Sequence, residues 1–143
     1  MDSEKTAEYC IGKTVKVFVQ DAILIPHPTL SDTYNLTSPG FKKLAMFARL
    51  LKPYLESYWV CLNYFMRSTN KDLKPKDRIK KIQSLGLKLY KQREIEQKES
   101  LSKINYLNAI EFFASNGIRT AQDKERVETY ETTIRDYLKL ISS

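Results

Sequence analysis

One continuous stretch, residues 38–66, constrains this chain more than any other feature, because apolar side chains return there every three or four positions. Phe41, Leu44, Ala45, Ala48, Leu51, Leu55, Tyr58, Trp59, Leu62, Phe65 and Met66 fall on one broad side of a helix with 3.6 residues per turn. About 26 helical residues at about 1.5 Å rise span roughly 39 Å, the width of a small domain. Ser38 is placed to cap it, and Pro39 to take the first helical position, where a missing N–H is no loss. Pro53 lies inside the stretch. It removes the donor for the Arg49 carbonyl and crowds it, which predicts a kink near residues 49–53. The polar, Pro-containing run that follows ends the helix near Arg67.

The remaining segments are short enough to pack on this helix. Residues 3–21 read as a first helix, with Tyr9, Cys10, Val15, Phe18, Val19 and Ala22 as its apolar side. Residues 23–25 and 33–36 read as two short strands around a turn that Pro26 and Pro28 keep from being helical. A third helix is expected over 75–95, burying Ile79, Ile82, Leu85, Leu89 and Tyr90 and presenting lysines on its other side. Gly86 either weakens that helix or admits a close neighbour. Ser100 is the expected cap of a fourth helix with Leu101, Ile104, Leu107, Ala109 or Ala114, Ile110 and Phe113 on its apolar side, stopped by Asn116-Gly117 with Ile118 as the following contact. A fifth covers 122–141, with Val127, Tyr130, Ile134, Tyr137, Leu138 and Ile141 on one side. The fold class is therefore mainly α. It is a bundle of about five helices with one small β-hairpin before a long, Pro-kinked central helix. Its expected organisation is a connecting helix, 1–22, followed by one compact helical unit with the hairpin, 23–143.

A chain of 143 residues with 24 Lys and Arg against 17 Asp and Glu carries a formal charge of +7. That sign suits nucleic acid, an anionic membrane surface, or acidic ligands such as phosphates and coenzyme A. It equally suits Lys-rich helices with a solvated face. Cys10 and Cys61 stand far apart with no Cys or His at metal spacing, which reads as reduced thiols in an intracellular protein. The first residues mix acids and bases without an apolar run, so no signal peptide is expected, and no apolar run approaches the roughly 18 residues of a membrane span.

Reactive constellations are sparse. The one histidine, His27, stands five residues before Asp32, a His-x-x-x-x-Asp spacing that acyltransferases of glycerolipid synthesis use for a base and its orienting carboxylate. The intervening Pro-Thr-Leu-Ser lacks the polar and basic character of that motif, so a solvated turn histidine is the reading adopted. Glu94/Glu96 and Glu128/Glu131 read as solvated pairs on helix surfaces. With no Gly-rich phosphate loop and no second histidine, no catalytic, cofactor-binding or metal-binding residue is assigned, and no cofactor is expected. The aromatic run Tyr54, Tyr58, Trp59, Tyr64 and Phe65 reads first as core and second as a docking face.

Two blocks carry a family likeness. Leu36, Thr37 and Gly40 form a Leu-Thr-x-x-Gly helix start, followed by Leu50, Leu51, Pro53, Tyr54, Leu55, Glu56, Tyr58 and Trp59. Further on, Ser100 or Ser102, Asn108, Ala109, Phe112, Phe113 and Gly117 form a second block. Together, over roughly residues 20–118, they resemble the C-terminal region of glycerol-3-phosphate acyltransferases of the bacterial membrane and mitochondrial type.

That likeness implies an accessory, structural region of an enzyme that moves an acyl group from acyl-CoA or acyl carrier protein to the sn-1 hydroxyl of glycerol 3-phosphate in phospholipid synthesis. The family's reacting residues lie in an upstream domain that this chain lacks, so no catalytic residue carries over. The chain is expected to be inactive alone, with the catalytic domain as partner and an anionic membrane surface as a second, peripheral one. No metal is expected. The competing reading is a winged-helix-like nucleic-acid module, motivated by the basic charge and the hairpin; its turn, residues 26–32, has no lysine or arginine.

Overall fold

A computed structural model describes residues 3–68, 73–118 and 123–142. Five helices account for most of them: α1 (Ser3–Gln20), α2 (Ser38–Arg67), α3 (Pro75–Lys91), α4 (Lys103–Ser115) and α5 (Lys124–Ser142). Strands β1 (Leu24–Pro26) and β2 (Tyr34–Leu36) form one antiparallel hairpin between α1 and α2, and a 3-10 turn (Lys98–Leu101) precedes α4. The architecture is thus mainly helical, with the hairpin set before the long helix. None of the described helices is long and apolar enough to cross a membrane.

Contacts divide the chain into two compact units, Met1–Ala48 and Arg49–Ser143. Helix α2 runs through the division without interruption.

In the first unit, α1 ends in a Schellman turn. The Ile23 amide donates to the Phe18 carbonyl at 2.8 Å, and Ala22 takes the left-handed conformation at φ 54°. Ile23 is buried, whereas Tyr9 and Cys10, expected on the covered side of α1, are exposed. The hairpin pairs Leu24 with Leu36 and Pro26 with Tyr34, one residue later in its first strand than the sequence predicts.

The second unit holds the main core. Val60, Cys61, Leu62, Tyr64 and Phe65 of α2 meet Ile79, Ile82 and Leu89 of α3, Tyr106, Ala109 and Phe113 of α4, and Val127 and Ile134 of α5. Helix α3 stops at Lys91, four residues before the expected end. Arg93 adopts φ 60°, and the Glu94 amide reaches back to the Leu89 carbonyl at 2.9 Å. Ile95 then turns inward and is buried. Helix α4 stops as expected, with Gly117 at φ 78° and Ile118 bonded to Phe113 and buried. Its covered side matches the expected one at Ala109 and Phe113 and departs from it elsewhere. Tyr106, Ala109 and Phe113 are buried, whereas Ile104 and Leu107 face solvent. The start expected for the last helix, residue 122, lies outside the described residues.

Charge is distributed unevenly. Residues 74–93 contain eight Lys and Arg and a single acid, Asp77, so that stretch alone equals the net charge of the whole chain, +7.

Candidate functional site

The two sequence blocks fold into two polar joints, one in each unit. The first is built on Thr37. Its Oγ1 donates to the Ala22 carbonyl at 2.7 Å and accepts from the Gly40 amide at 2.9 Å. Thr37, not Ser38, is therefore the residue that caps α2, since Ser38 is already the first helical position. One hydroxyl thus ties the end of α1 to the start of α2. Gly40 is required beside it, because a Cβ there would run into the backbone oxygen and Cα of Ile23. The Leu-Thr-x-x-Gly spacing is the local chemistry of this joint.

The second joint is built on Glu56, which is 2% exposed on the core side of α2. Its carboxylate accepts from the Glu96 amide at 2.9 Å, the Gln97 amide at 3.0 Å and Ser100 Oγ at 2.5 Å. Ser57 Oγ donates to the Ser100 carbonyl at 2.8 Å. One helical turn earlier, the Lys52 ammonium, also buried, donates to Glu96 Oε2 at 2.5 Å and Ser142 Oγ at 2.9 Å. Three residues of one helix face thus clamp the segment between α3 and α4 and reach the end of α5. A buried carboxylate is tolerated because charge-assisted bonds from three donors offset its lost hydration.

Ser100 is consequently not a helix cap. Its hydroxyl belongs to Glu56, and Ser102 occupies the capping position of α4 without a side-chain bond. Glu96 and Glu131, read from sequence as solvated, are also engaged. Glu96 pairs with Lys52, while Glu131, largely buried, accepts from Trp59 Nε1 at 3.0 Å. The other members of those pairs, Glu94 and Glu128, are exposed.

Around this clamp lie the aromatics of both blocks. Tyr58 stacks edge-on against Phe113 at 5.7 Å and tilts over Phe112 at 5.6 Å, and Tyr130 closes on both phenylalanines. The Cys61 thiol is buried and lies 3.8 Å from the Tyr106 carbonyl, and burial pushes its pKa up. Burial also raises the Tyr106 phenol, with the Cys61 and Glu56 charges adding to the effect. Among the described residues the Tyr106 hydroxyl is a buried polar group without a hydrogen-bond partner.

His27 sits in the hairpin turn. Its Nδ1 accepts from the Leu30 amide at 3.1 Å and the Thr29 amide at 3.2 Å, so the imidazole closes its own loop. Asp32 is exposed at φ 53° in the same turn, and among the described residues it makes no hydrogen bond or ion pair with His27. The geometry is that of a turn histidine.

Sequence periodicity misses the Glu56 clamp because it assigns polar positions to the wet side. The available signal is Lys52 and Glu56, which stand beside the apolar stripe on the flank that carries Trp59. The apolar residues of α2 in the second unit are covered unevenly. Val60, Cys61, Leu62, Tyr64 and Phe65 are buried, whereas Leu50, Leu51 and Tyr54 are 53–63% exposed. The exposed apolar run therefore lies earlier in α2 than the aromatic segment suggests.

The polar side chains of both joints are engaged in holding helices together, which defines a helical module assembled by internal clamps. The model of the family described as the glycerol-3-phosphate acyltransferase C-terminal region matches residues 1–122, and the chain belongs to that family. Neither the curated proteins nor the solved structures provide a significant match.

Proposed function

We propose that this chain acts as the helical platform of a glycerol-3-phosphate O-acyltransferase, packed against the acyltransferase domain that carries the reacting groups and peripheral to a membrane. In the whole enzyme a histidine base takes the proton of the sn-1 hydroxyl, the resulting alkoxide attacks the thioester carbonyl of acyl-CoA or acyl carrier protein, and the C–S bond breaks to release the thiol, which takes the proton back from the imidazolium. This chain provides support for that step, not its chemistry.

The observation that carries the reading is the exposed run on α2. Leu50, Leu51 and Tyr54 recur at helical spacing and leave that part of α2 apolar and open. Contiguous exposed apolar surface marks an interaction site. Membership in a family of acyltransferase C-terminal regions makes an acyltransferase domain the occupant this reading assigns to that surface. The polar groups of the joints support the same division of labour, because Glu56, Ser100 and Thr37 are already engaged by partners of their own chain.

The test is co-expression with an acyltransferase domain of a matching enzyme, followed by co-purification and assay with acyl-CoA and glycerol 3-phosphate. The chain alone is expected to give background turnover, unchanged in His27→Ala. The pair is expected to co-purify, and Leu50→Glu/Tyr54→Glu to separate it while leaving the helical signal intact. Turnover by the chain alone that disappears in His27→Ala overturns the reading.

A further inference from the structure

We infer that the outward face of α3 is a docking surface for an anionic phospholipid surface. Lys74, Lys76, Lys80, Lys81, Lys88 and Lys91 are all exposed, and among the described residues none of them is in an ion pair. The 3.6-residue period places the last five within less than half of the helix circumference. The opposite side is fixed in the core by Ile79, Ile82 and Leu89. The lysine face is therefore held outward.

Three features favour a membrane surface over a discrete ligand. The face is long and shallow. Seventeen helical residues span about 25 Å, and its two hollows are flanked mainly by lysines, one at Lys74, Lys76 and Lys80 with Asp77 as the single acid among them, and the other at Lys88 and Lys91. The cations are lysines, compact point charges that follow a diffuse negative field, whereas discrete phosphate recognition favours the planar fork of arginine. Leu87 is 45% exposed between the lysines, an apolar contact for the headgroup boundary. Like charges at Lys76/Lys80 and Lys88/Lys91 also repel along the helix, a cost that a negative surface relieves.

The inference rests on the membrane-peripheral part of the proposed function and is independent of the catalytic partner. Its test is flotation of the chain with vesicles of one part phosphatidylglycerol to two parts phosphatidylcholine, and with pure phosphatidylcholine. Binding is expected on the anionic vesicles alone and is expected to vanish near 1 M salt, where the screening length falls to about 3 Å. Lys76→Glu/Lys80→Glu/Lys88→Glu should lower partitioning about 100-fold. The α1 triple Lys5→Glu/Lys13→Glu/Lys16→Glu has the same net charge and should bind far better. Lys→Gln at the same three α3 positions gives a smaller loss in the same direction and serves if the reversed chain does not fold.

Absence of flotation, equal loss in the α1 and α3 triples, or tighter retention by duplex DNA or an acidic protein than by the vesicles overturns it. Co-purification with the acyltransferase domain should survive the α3 triple, and its loss there assigns the face to protein docking instead. A failed co-purification of the unaltered chain leaves flotation intact and bears on the platform reading alone.

Discussion

Ser100 Oγ donates to the Glu56 carboxylate at 2.5 Å across 44 residues of sequence, joining the middle of α2 to the turn that precedes α4. The same carboxylate takes the two amides of Glu96 and Gln97, so one side chain fixes the path of the chain between α3 and α4. Glutamine in its place keeps one acceptor oxygen and turns an NH2 toward the donors that the other oxygen served. Glu56→Gln should cost about 3 kcal/mol and Ser100→Ala about 2 kcal/mol by denaturant unfolding. The double variant should cost less than the two together by about 1 kcal/mol or more. Additive losses would show that the bond contributes nothing of its own.

The Thr37 joint makes a separable prediction in the first unit. Thr37→Ala removes both the α2 cap and the bond to the Ala22 carbonyl and should cost about 2 kcal/mol, while Thr37→Ser keeps the hydroxyl and should stay within about 0.5 kcal/mol of the parent. Gly40→Ala should cost about 2 kcal/mol or more, because its Cβ meets backbone that has no rotamer to yield. If Gly40→Ala stabilises the helix, as propensity alone predicts, then the close approach to Ile23 is wrong.

Legibility in the sequence divides along physical lines. Helices and their order follow from apolar period, and the α4 stop follows from Asn116-Gly117, since glycine at a left-handed cap is a local signal. The ends of α1 and α3 are obscure for the converse reason. Ala22 and Arg93 take the same left-handed conformation without the residue that announces it. Periodicity also cannot separate a side covered by its own core from one left for another body. Leu51 and Leu55 lie on one stripe, yet Leu51 is exposed while Leu55 packs against the core. Glu56 and Ser100 are quoted as family positions, but their pairing needs coordinates, because a bond across 44 residues leaves no periodic trace.

Gly86 is placed by Tyr106. A Cβ at Gly86 would strike the Tyr106 hydroxyl, so the glycine is where α3 admits α4, and helix weakening is incidental. Gly86→Ala should therefore destabilise by about 2 kcal/mol despite alanine's better helix propensity. Tyr106→Phe removes a buried hydroxyl that has no partner among the described residues, and should be neutral or stabilising. Combined, Tyr106→Phe should recover much of the Gly86→Ala loss, although the ring carbon at 3.1 Å keeps the fit tight. Thermal unfolding of the four proteins measures the rescue; equal losses with and without the hydroxyl would place the obstruction elsewhere.

The buried Cys61 and Tyr106 set a direction for stability against pH. Burial raises both groups above their unfolded values, so the folded chain keeps protons that the unfolded chain releases. Below the unfolded values, about 8.5 for cysteine and about 10 for tyrosine, both states hold the protons and these groups add no slope. Above them the unfolded chain deprotonates first. Stability then falls by about 1.4 kcal/mol per pH unit for each group, until the folded chain titrates as well. Urea unfolding between pH 7 and pH 11 should show a plateau followed by this decline. Tyr106→Phe should flatten the part above about pH 10, and Cys61→Ala should remove the earlier part while lowering the plateau through the cavity it leaves. In parallel, a thiol reagent on the folded chain should modify exposed Cys10 promptly and reach Cys61 on unfolding. Rapid modification of both thiols in the native state would mean that the α2–α4 contact opens far more readily than its packing implies.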